Sequence, residues 1–336
     1  MRQFMRQFKE HLGENGVLVS VVDSGGSTPR GPGAHMLVTA QGRAAGTVGG
    51  GMVERRSERL AQEMLGSGQV RRERFSLGPG GELGMVCGGQ MEVVFRPLTA
   101  GDPAVLALVQ RAEELLDRGE RSWLMTETAE PWALAVYGVQ SGLVGDVPRS
   151  LLERLPVHAK RLEAEGRTFC CQPLVRPGRV YIFGGGHVAQ KLAPALAAVE
   201  FRCVVLEDRA EFCLPERFPE AEEVRLIDYA RALEAVELTG DDYVVIMTRG
   251  HKDDLLIQAQ VMKTPVRYIG VIGSRRKTQA LTAKLQEMGF TDFQRVHAPI
   301  GLEIRSETPA EIAVSITAQL ILERAGGANG SSLNKV

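Results

Sequence analysis

Two stretches of this chain join a glycine run to a helix start, a combination that can hold an anion. Residues 180–189 read VYIFGGGHVA: four strand-type residues, then Gly184, Gly185 and Gly186, then His187 and a helical pattern. Glycine allows a tight turn and close approach of a ligand to the backbone. The first N–H groups of a helix have no intrahelical partner, so a phosphate can take them. The segment fits G-x-G-x-x-A through Gly184, Gly186 and Ala189. A second strand pattern at 202–206 runs into Glu207 and Asp208. An acid about 20 residues past the glycines is where a ribose hydroxyl is read. Nearer the N-terminus, Gly49, Gly50 and Gly51 also follow a strand pattern and open a helix, expected over 52–65. Each junction is read either as an anion site or as close backbone packing.

Two long glycine-rich loops add further chemistry. Residues 23–33, DSGGSTPRGPG, are too rich in Gly, Pro and Ser to be an ordinary connector. Residues 78–89, GPGGELGMVCGG, carry Cys87 beside two glycines. That thiol is read either as a thiolate ligand or nucleophile, or as a small buried group. Later in the chain, Thr248-Arg249-Gly250-His251 and Gly273-Ser274-Arg275-Arg276-Lys277 each follow a strand pattern and open a helix. Ser274 can cap its helix, and Arg275, Arg276 and Lys277 offer charge to a phosphate or form a solvated basic face. His187 and His251 fall on one edge of the expected sheet as candidate ligands or proton carriers, without the spacing of a metal site.

The elements that carry these residues fall into two kinds. From residue 180 onward, strands at 180–183, 202–206, 223–226, 243–247 and 268–272 alternate with helices at 187–198, 229–237, 253–263 and 277–288. This alternation predicts a Rossmann-like, doubly wound parallel sheet. A last helix starts at Thr308-Pro309, with Glu311 in its first turn. The N-terminal half predicts an α+β domain with Gly-rich loops. It has strands at 17–22, 35–39, 43–48, 70–77, 90–96, 122–126, 133–136 and 168–174, and helices at 4–12, 52–65, 103–118 and 149–165. Cys170 and Cys171 lie in one strand and point to opposite faces, so they are read as packing. The expected division is 1–175, 176–326 and a flexible tail over 327–336.

Composition narrows the class. A length of 336 residues suits two domains. The net charge of −1 leaves no electrostatic footprint for nucleic acid or an anionic membrane. No apolar run is long enough to span a bilayer, and the charged start MRQFMRQFKEHL does not read as a secretory signal. The five cysteines, an odd number, form neither a disulfide framework nor a zinc pattern, which points to a reducing cytoplasm.

In combination these motifs resemble the XdhC/CoxI family, accessory proteins of xanthine dehydrogenase and related molybdenum hydroxylases. In the N-terminal half the resemblance rests on Gly26-Ser27-Thr28-Pro29-Arg30, Gly49-Gly50-Gly51 with Val53-Glu54, and Cys87-Gly88-Gly89. In the C-terminal half it rests on GGGHVA at 184–189, Glu207-Asp208-Arg209, Gly250-His251, GVIGSRRK at 270–277, Pro299-Ile300-Gly301-Leu302 and residues 308–316. The resemblance implies a molybdenum cofactor (molybdopterin) chaperone more than a catalyst. Such a protein binds and protects the cofactor, supports its sulfuration with a cysteine desulfurase, inserts it into a hydroxylase, and forms a homodimer. The implied cofactor-binding set is Ser27, Arg30, Gly49, Gly50, Gly51, Glu54, Cys87, Gly184, Gly185, Gly186, His187, Glu207, Asp208, His251, Ser274, Arg275 and Arg276, with Cys87 facing the metal. Met52 stands where the family usually has a cysteine, and a thioether cannot become a thiolate. NAD or NADP remains a further ligand, and an NAD(P)-dependent oxidoreductase or a nucleotide or redox sensor the rival functions.

Overall fold

The computed structural model of the chain describes residues 1–78 and 88–326. The tail expected over 327–336 lies outside the described residues. The chain divides into two compact units, Met1–Arg176 and Pro177–Val336.

The N-terminal unit runs α1 (Arg2–Glu10), β1 (Gly16–Gly25), β2 (His35–Thr39), β3 (Gly42–Gly46), α2 (Gly51–Glu63), β4 (Arg71–Ser76), β5 (Gln90–Leu98), α3 (Pro103–Arg118), β6 (Ser122–Glu127), β7 (Leu134–Gly138), β8 (Gly142–Val144), α4 (Arg149–Leu152), β9 (Lys160–Ala164) and β10 (Arg167–Val175). Two antiparallel sheets form, in the orders β3-β2-β1-β5-β4 and β8-β7-β6-β10-β9. The run of apolar residues in β1, broken only by Ser20, is explained by cover on both faces. Val17, Val19 and Val21 pack with Val53, Leu60 and Ala61 of α2, while Leu18 packs with Phe4, Phe8 and Leu108 of α1 and α3. Helix α3 is set by local signals: Asp102 accepts from the Ala104 amide, Pro103 opens the helix, and Gly119 closes it in the left-handed conformation.

The C-terminal unit runs β11 (Val180–Phe183), α5 (His187–Ala198), β12 (Cys203–Glu207), β13 (Glu223–Leu226), α6 (Ala232–Ala235), β14 (Tyr243–Ile246), α7 (His251–Val261), β15 (Tyr268–Val271), α8 (Arg275–Glu287), β16 (Val296–His297) and α9 (Pro309–Arg324). All six strands pair in parallel, in the order β13-β12-β11-β14-β15-β16. The sheet is the expected doubly wound one, because side-chain alternation feeds two cores. Val180 and Ile182 pack with Leu192, Leu196, Ile316 and Leu320 of α5 and α9. Tyr181 and Phe183 pack with Ile257 and Leu281 of α7 and α8. A fully buried side chain of this size contributes about 1.5–3 kcal/mol, so even a four-residue strand is firmly held. Thr308 and Glu311 form a reciprocal capping box at the start of α9.

Three local expectations are corrected. The helix expected over 149–165 is only α4, and the rest of that segment supplies β9. Pro156 lacks the N–H that a continuing helix needs. Glu165 and Gly166, both at positive φ, make a two-residue turn that pairs Ala164 with Arg167. The loop expected from residue 23 begins later, because β1 continues through a bulge to Gly25. The helix expected over 229–237 is a 3-10 turn at Tyr229–Arg231 followed by α6.

Within the N-terminal unit, His35 ties the two sheets together. Its Nε2 donates to Gln172 Oε1 on β10 at 2.6 Å, which leaves Nδ1 to accept from Ser20 Oγ at 2.8 Å. Its ring stacks on Phe4. Burial holds the imidazole neutral and lowers its pKa from 6.5 to about 4. The unfolded chain therefore binds a proton that the folded unit refuses, and stability falls as pH drops from 6.5 toward 4. The full effect is roughly 3 kcal/mol. Burial shifts His297 in the same direction, so the comparison with a variant isolates His35. His35→Gln is expected to flatten the pH dependence of urea unfolding in that window. Equal slopes for variant and wild type would refute the assignment.

Candidate functional site

In the N-terminal unit three glycine backbones meet. Ser27 and Gly88 form an isolated parallel bridge. A Cβ on Gly89 would stand 2.3 Å from the Ser27 carbonyl oxygen, and one on Gly49 would stand 2.7 Å from Pro29 Cβ. The loop carrying Gly26–Arg30 is thereby laid against both other glycine segments at distances only glycine permits. Gly50 and Gly51 have positive φ, and Cβ atoms there would meet nothing within 4 Å. Their backbone at the start of α2 therefore faces open space. Ser27 and Arg30 are exposed on the same loop system, and Met52 is 48% exposed in the first turn of α2. Cys87 lies outside the described residues.

Glu54 sits under this turn. Its carboxylate accepts from the Gly50 amide at 3.2 Å, from Thr47 Oγ1 and from Arg43, while Thr47 Oγ1 also accepts from the Gly49 amide at 3.1 Å. With those partners Glu54 holds the shape of the glycine turn. Beside the loop lies a depression of about 240 Å³ lined by Asp23, Ser24, Gly25, Arg74, Gln90, Met91 and Glu92. Asp23, Glu92 and Arg74 stand opposite one another across β1, β5 and β4. Arg74 Nε donates to Glu92 at 3.1 Å, and Arg161 reaches Asp23 at 3.3 Å and Glu92 at 3.5 Å. The hydrogen bond from Arg74 holds the Glu92 carboxyl below its ordinary pKa, so the depression offers ionised acceptors beside guanidinium donors.

In the C-terminal unit the sequence-read loops do gather at the carboxyl edge of the parallel sheet. Gly184 lies against the loop after β14: a Cβ there would stand 2.5 Å from the Met247 carbonyl oxygen. This is the switch point, where β11 and β14 are neighbours and their helices leave in opposite directions. His187 and His251 open α5 and α7, and both are exposed. Asp208 is exposed, whereas Glu207 is fully buried, with its carboxylate against the Gly185 amide at 2.7 Å. Ser274 caps α8 by accepting from the Lys277 amide at 3.3 Å. Arg276 is exposed, and Arg275 pairs with Glu303 at 2.9 Å.

Sequence reasoning passed over one brace on this edge. Asp254, fully buried in α7, accepts from the Thr248 hydroxyl at 2.6 Å and the Thr248 amide at 3.2 Å. Its other oxygen lies 2.5 Å from Lys277 Nζ, and that amine also donates to the Ile272 carbonyl at 3.2 Å. The loops after β14 and β15 are thus tied through one carboxylate. The only sequence signal was polar residues at helix starts, which does not say that they pair. Among the described residues, no group of three or more His, Cys, Asp or Glu side chains could hold a metal ion. No described helix is long and apolar enough to cross a membrane.

The glycine contact can be tested directly. Gly89→Ala drives a methyl against backbone and is expected to cost roughly 1–3 kcal/mol. Gly78→Ala, where a Cβ would meet nothing within 4 Å, is expected to stay within about 1 kcal/mol of wild type. Denaturant unfolding of the two variants checks this, and equal stabilities would refute the close-contact reading.

Comparison with known proteins places this geometry in a family. The XdhC Rossmann domain matches residues 180–320, and the XdhC and CoxI family matches residues 11–76. YqeB of Escherichia coli K12 is 27% identical over 312 residues, which is 90% of this chain and 42% of YqeB, so the chain spans less than half of that relative. A probable xanthine dehydrogenase subunit from Bacillus subtilis is 24% identical, over 93% of this chain and 94% of the relative. The molybdenum cofactor insertion chaperone PaoD of Escherichia coli K12 is 24% identical, over 92% of this chain and 83% of PaoD. A crystal structure described as a xanthine dehydrogenase from Bacillus halodurans superposes with a TM-score of 0.78, at 24% identity and covering 97% of both chains, and it establishes the fold. With both halves matched in order, the chain belongs to the XdhC and CoxI family.

Proposed function

We propose that this chain binds molybdenum cofactor and delivers it to a molybdenum hydroxylase of the xanthine dehydrogenase type. The similarity to PaoD, a molybdenum cofactor insertion chaperone, supports the reading. So does the relation to a probable xanthine dehydrogenase subunit. The observation that carries it is the glycine cradle of the N-terminal unit, whose open face at Gly50 and Gly51 begins a 13-residue helix. The cargo has a phosphate or nucleotide end, a flat polar pterin and a dithiolene–molybdenum end.

The residues present suit those three parts. The Gly51 amide at the start of α2 and the exposed Arg30 suit the phosphate, through charge-assisted hydrogen bonds, while the Gly49 and Gly50 amides are held by Thr47 and Glu54. Ser27 adds a hydroxyl on the same loop, and Glu54 acts by holding the turn. The neighbouring depression suits the pterin: carboxylates of Asp23 and Glu92 accept N–H groups, and Arg74 donates to a carbonyl. Cys87 is the thiol assigned to the metal end, since Met52 cannot supply a thiolate. In the C-terminal unit His187, Asp208, His251, Ser274, Arg275 and Arg276 line loops at the sheet edge, where cofactor or a partner would bind. Protection of the cofactor, support for its sulfuration with a cysteine desulfurase, and a homodimeric state complete the proposal.

The test is retention and transfer. The purified chain is incubated with molybdenum cofactor, desalted, and assayed for molybdenum and for pterin fluorescence after oxidation. It is then mixed with an apo-hydroxylase. Stoichiometric retention and restored hydroxylase activity are expected. Arg30→Ala should weaken retention about tenfold to a hundredfold, the loss of one hydrogen bond to a charged group. Cys87→Ala should lower molybdenum retention more than pterin retention. A chain that retains no cofactor and restores no hydroxylase would refute the reading.

A further inference from the structure

The acid at the end of β12 stands where a dinucleotide-binding unit reads ribose, and such an acid needs lone pairs free for two hydroxyl groups. Glu207 has none to spare. Its Oε1 accepts from the Asp208 amide at 3.1 Å, the Arg209 amide at 3.2 Å and Arg209 Nε at 2.8 Å. Its Oε2 accepts from the Gly185 amide at 2.7 Å and Arg209 Nη2 at 3.0 Å. A carboxylate offers about four lone-pair directions, and five donors already converge on this one. Burial by itself would favour the neutral acid, but the bonds from Arg209 and Gly185 outweigh it and keep Glu207 ionised.

Arg209 is fixed from its other side. Its guanidinium lies 3.9 Å from the centroid of the Phe212 ring, a stacked cation–π contact. The Phe212 and Cys213 amides both donate back to the Arg209 carbonyl at 3.1 Å. This curl returns the chain to the glycine turn. A Cβ on Gly185 would stand 2.9 Å from the Phe212 carbonyl oxygen, 3.3 Å from Glu207 Oε2 and 3.5 Å from the Phe218 ring.

We infer that Arg209 is an internal occupant of the ribose position, so that the glycine turn of the C-terminal unit rejects adenine dinucleotides bound in the Rossmann manner. Glu207 is then a positioning residue for the turn, and Arg209 determines specificity. A ribose would offer two neutral hydroxyls in exchange for the charged donors of Arg209, and charge-assisted bonds are roughly twice as strong. The 2′-phosphate of NADPH fares no better. Two nitrogens of the guanidinium already face Glu207, and the buried carboxylate repels a second anion.

The full-length protein is titrated with NADH and with NADPH, read by nicotinamide fluorescence, as wild type, Arg209→Ala and Glu207→Gln. Wild type is expected to show no saturable binding of either. Arg209→Ala should gain NADH affinity about tenfold or more, the scale of one recovered bond to a charged acceptor. Saturable NADH binding by wild type that disappears in Glu207→Gln would overturn the inference. So would a folded Arg209→Ala with no gain. Should Arg209→Ala melt, Arg209→Met keeps the bulk over Phe212 and carries the same expectation. Cofactor retention by the N-terminal unit is a separate measurement, so either proposal can fail alone.

Discussion

Both units depend on main chain touching main chain where a side chain would normally intervene. In the N-terminal unit the Ser27 carbonyl lies against Gly89, and in the C-terminal unit the Met247 carbonyl lies against Gly184. A methyl group at either glycine would overlap the oxygen. Such contact brings loops from different strands to one spot and leaves their remaining polar groups turned outward. The glycines are therefore steric conditions for assembling the loops, and they lower the intrinsic order of the segments that carry them.

Loops built this way need a second restraint, and each unit supplies a carboxylate. Glu54 takes the Gly50 amide from four residues away, inside the helix that the turn begins. Glu207 takes the Gly185 amide from 22 residues away, across the sheet. The two acids look alike in their attachment to a triple-glycine turn, but their surroundings differ. At the first turn, Cβ positions on Gly50 and Gly51 meet nothing within 4 Å. At the second, Gly186 is open in the same way, but Arg209 takes both oxygens of the acid, and the Phe212 carbonyl and Phe218 ring crowd Gly185. Glu54 thus stands under a turn open at its helix-start side, whereas Glu207 is enclosed by its own neighbours.

Two further buried polar groups join separate elements. His35 meets Gln172 over 137 residues, and Asp254 joins the loops after β14 and β15 through Thr248 and Lys277. A buried charge or ring nitrogen without its partner is costly, so these pairs fix which loops lie together.

The sequence by itself determined whatever depends on neighbours within one turn or one strand. The continuous apolar strands of the parallel sheet, the Asp102-Pro103 start and Gly119 end of α3, the Thr308–Glu311 cap and the strand–glycine–helix junctions all carry their cause in local residue type. The family followed from many such motifs in order. The tertiary structure alone decided who pairs with whom. Residues 160–164 look helical in isolation, but as β9 they gain a full ladder with β10. Glu207 has the spacing of a ribose reader, yet its oxygens are held by Arg209. Asp254 and Lys277 are ordinary polar residues at helix starts until folding brings them to 2.5 Å. Local propensity is set by sterics and periodicity, which a linear sequence records. The occupant of a buried lone pair is set by competition in space, and composition and spacing leave no trace of that outcome.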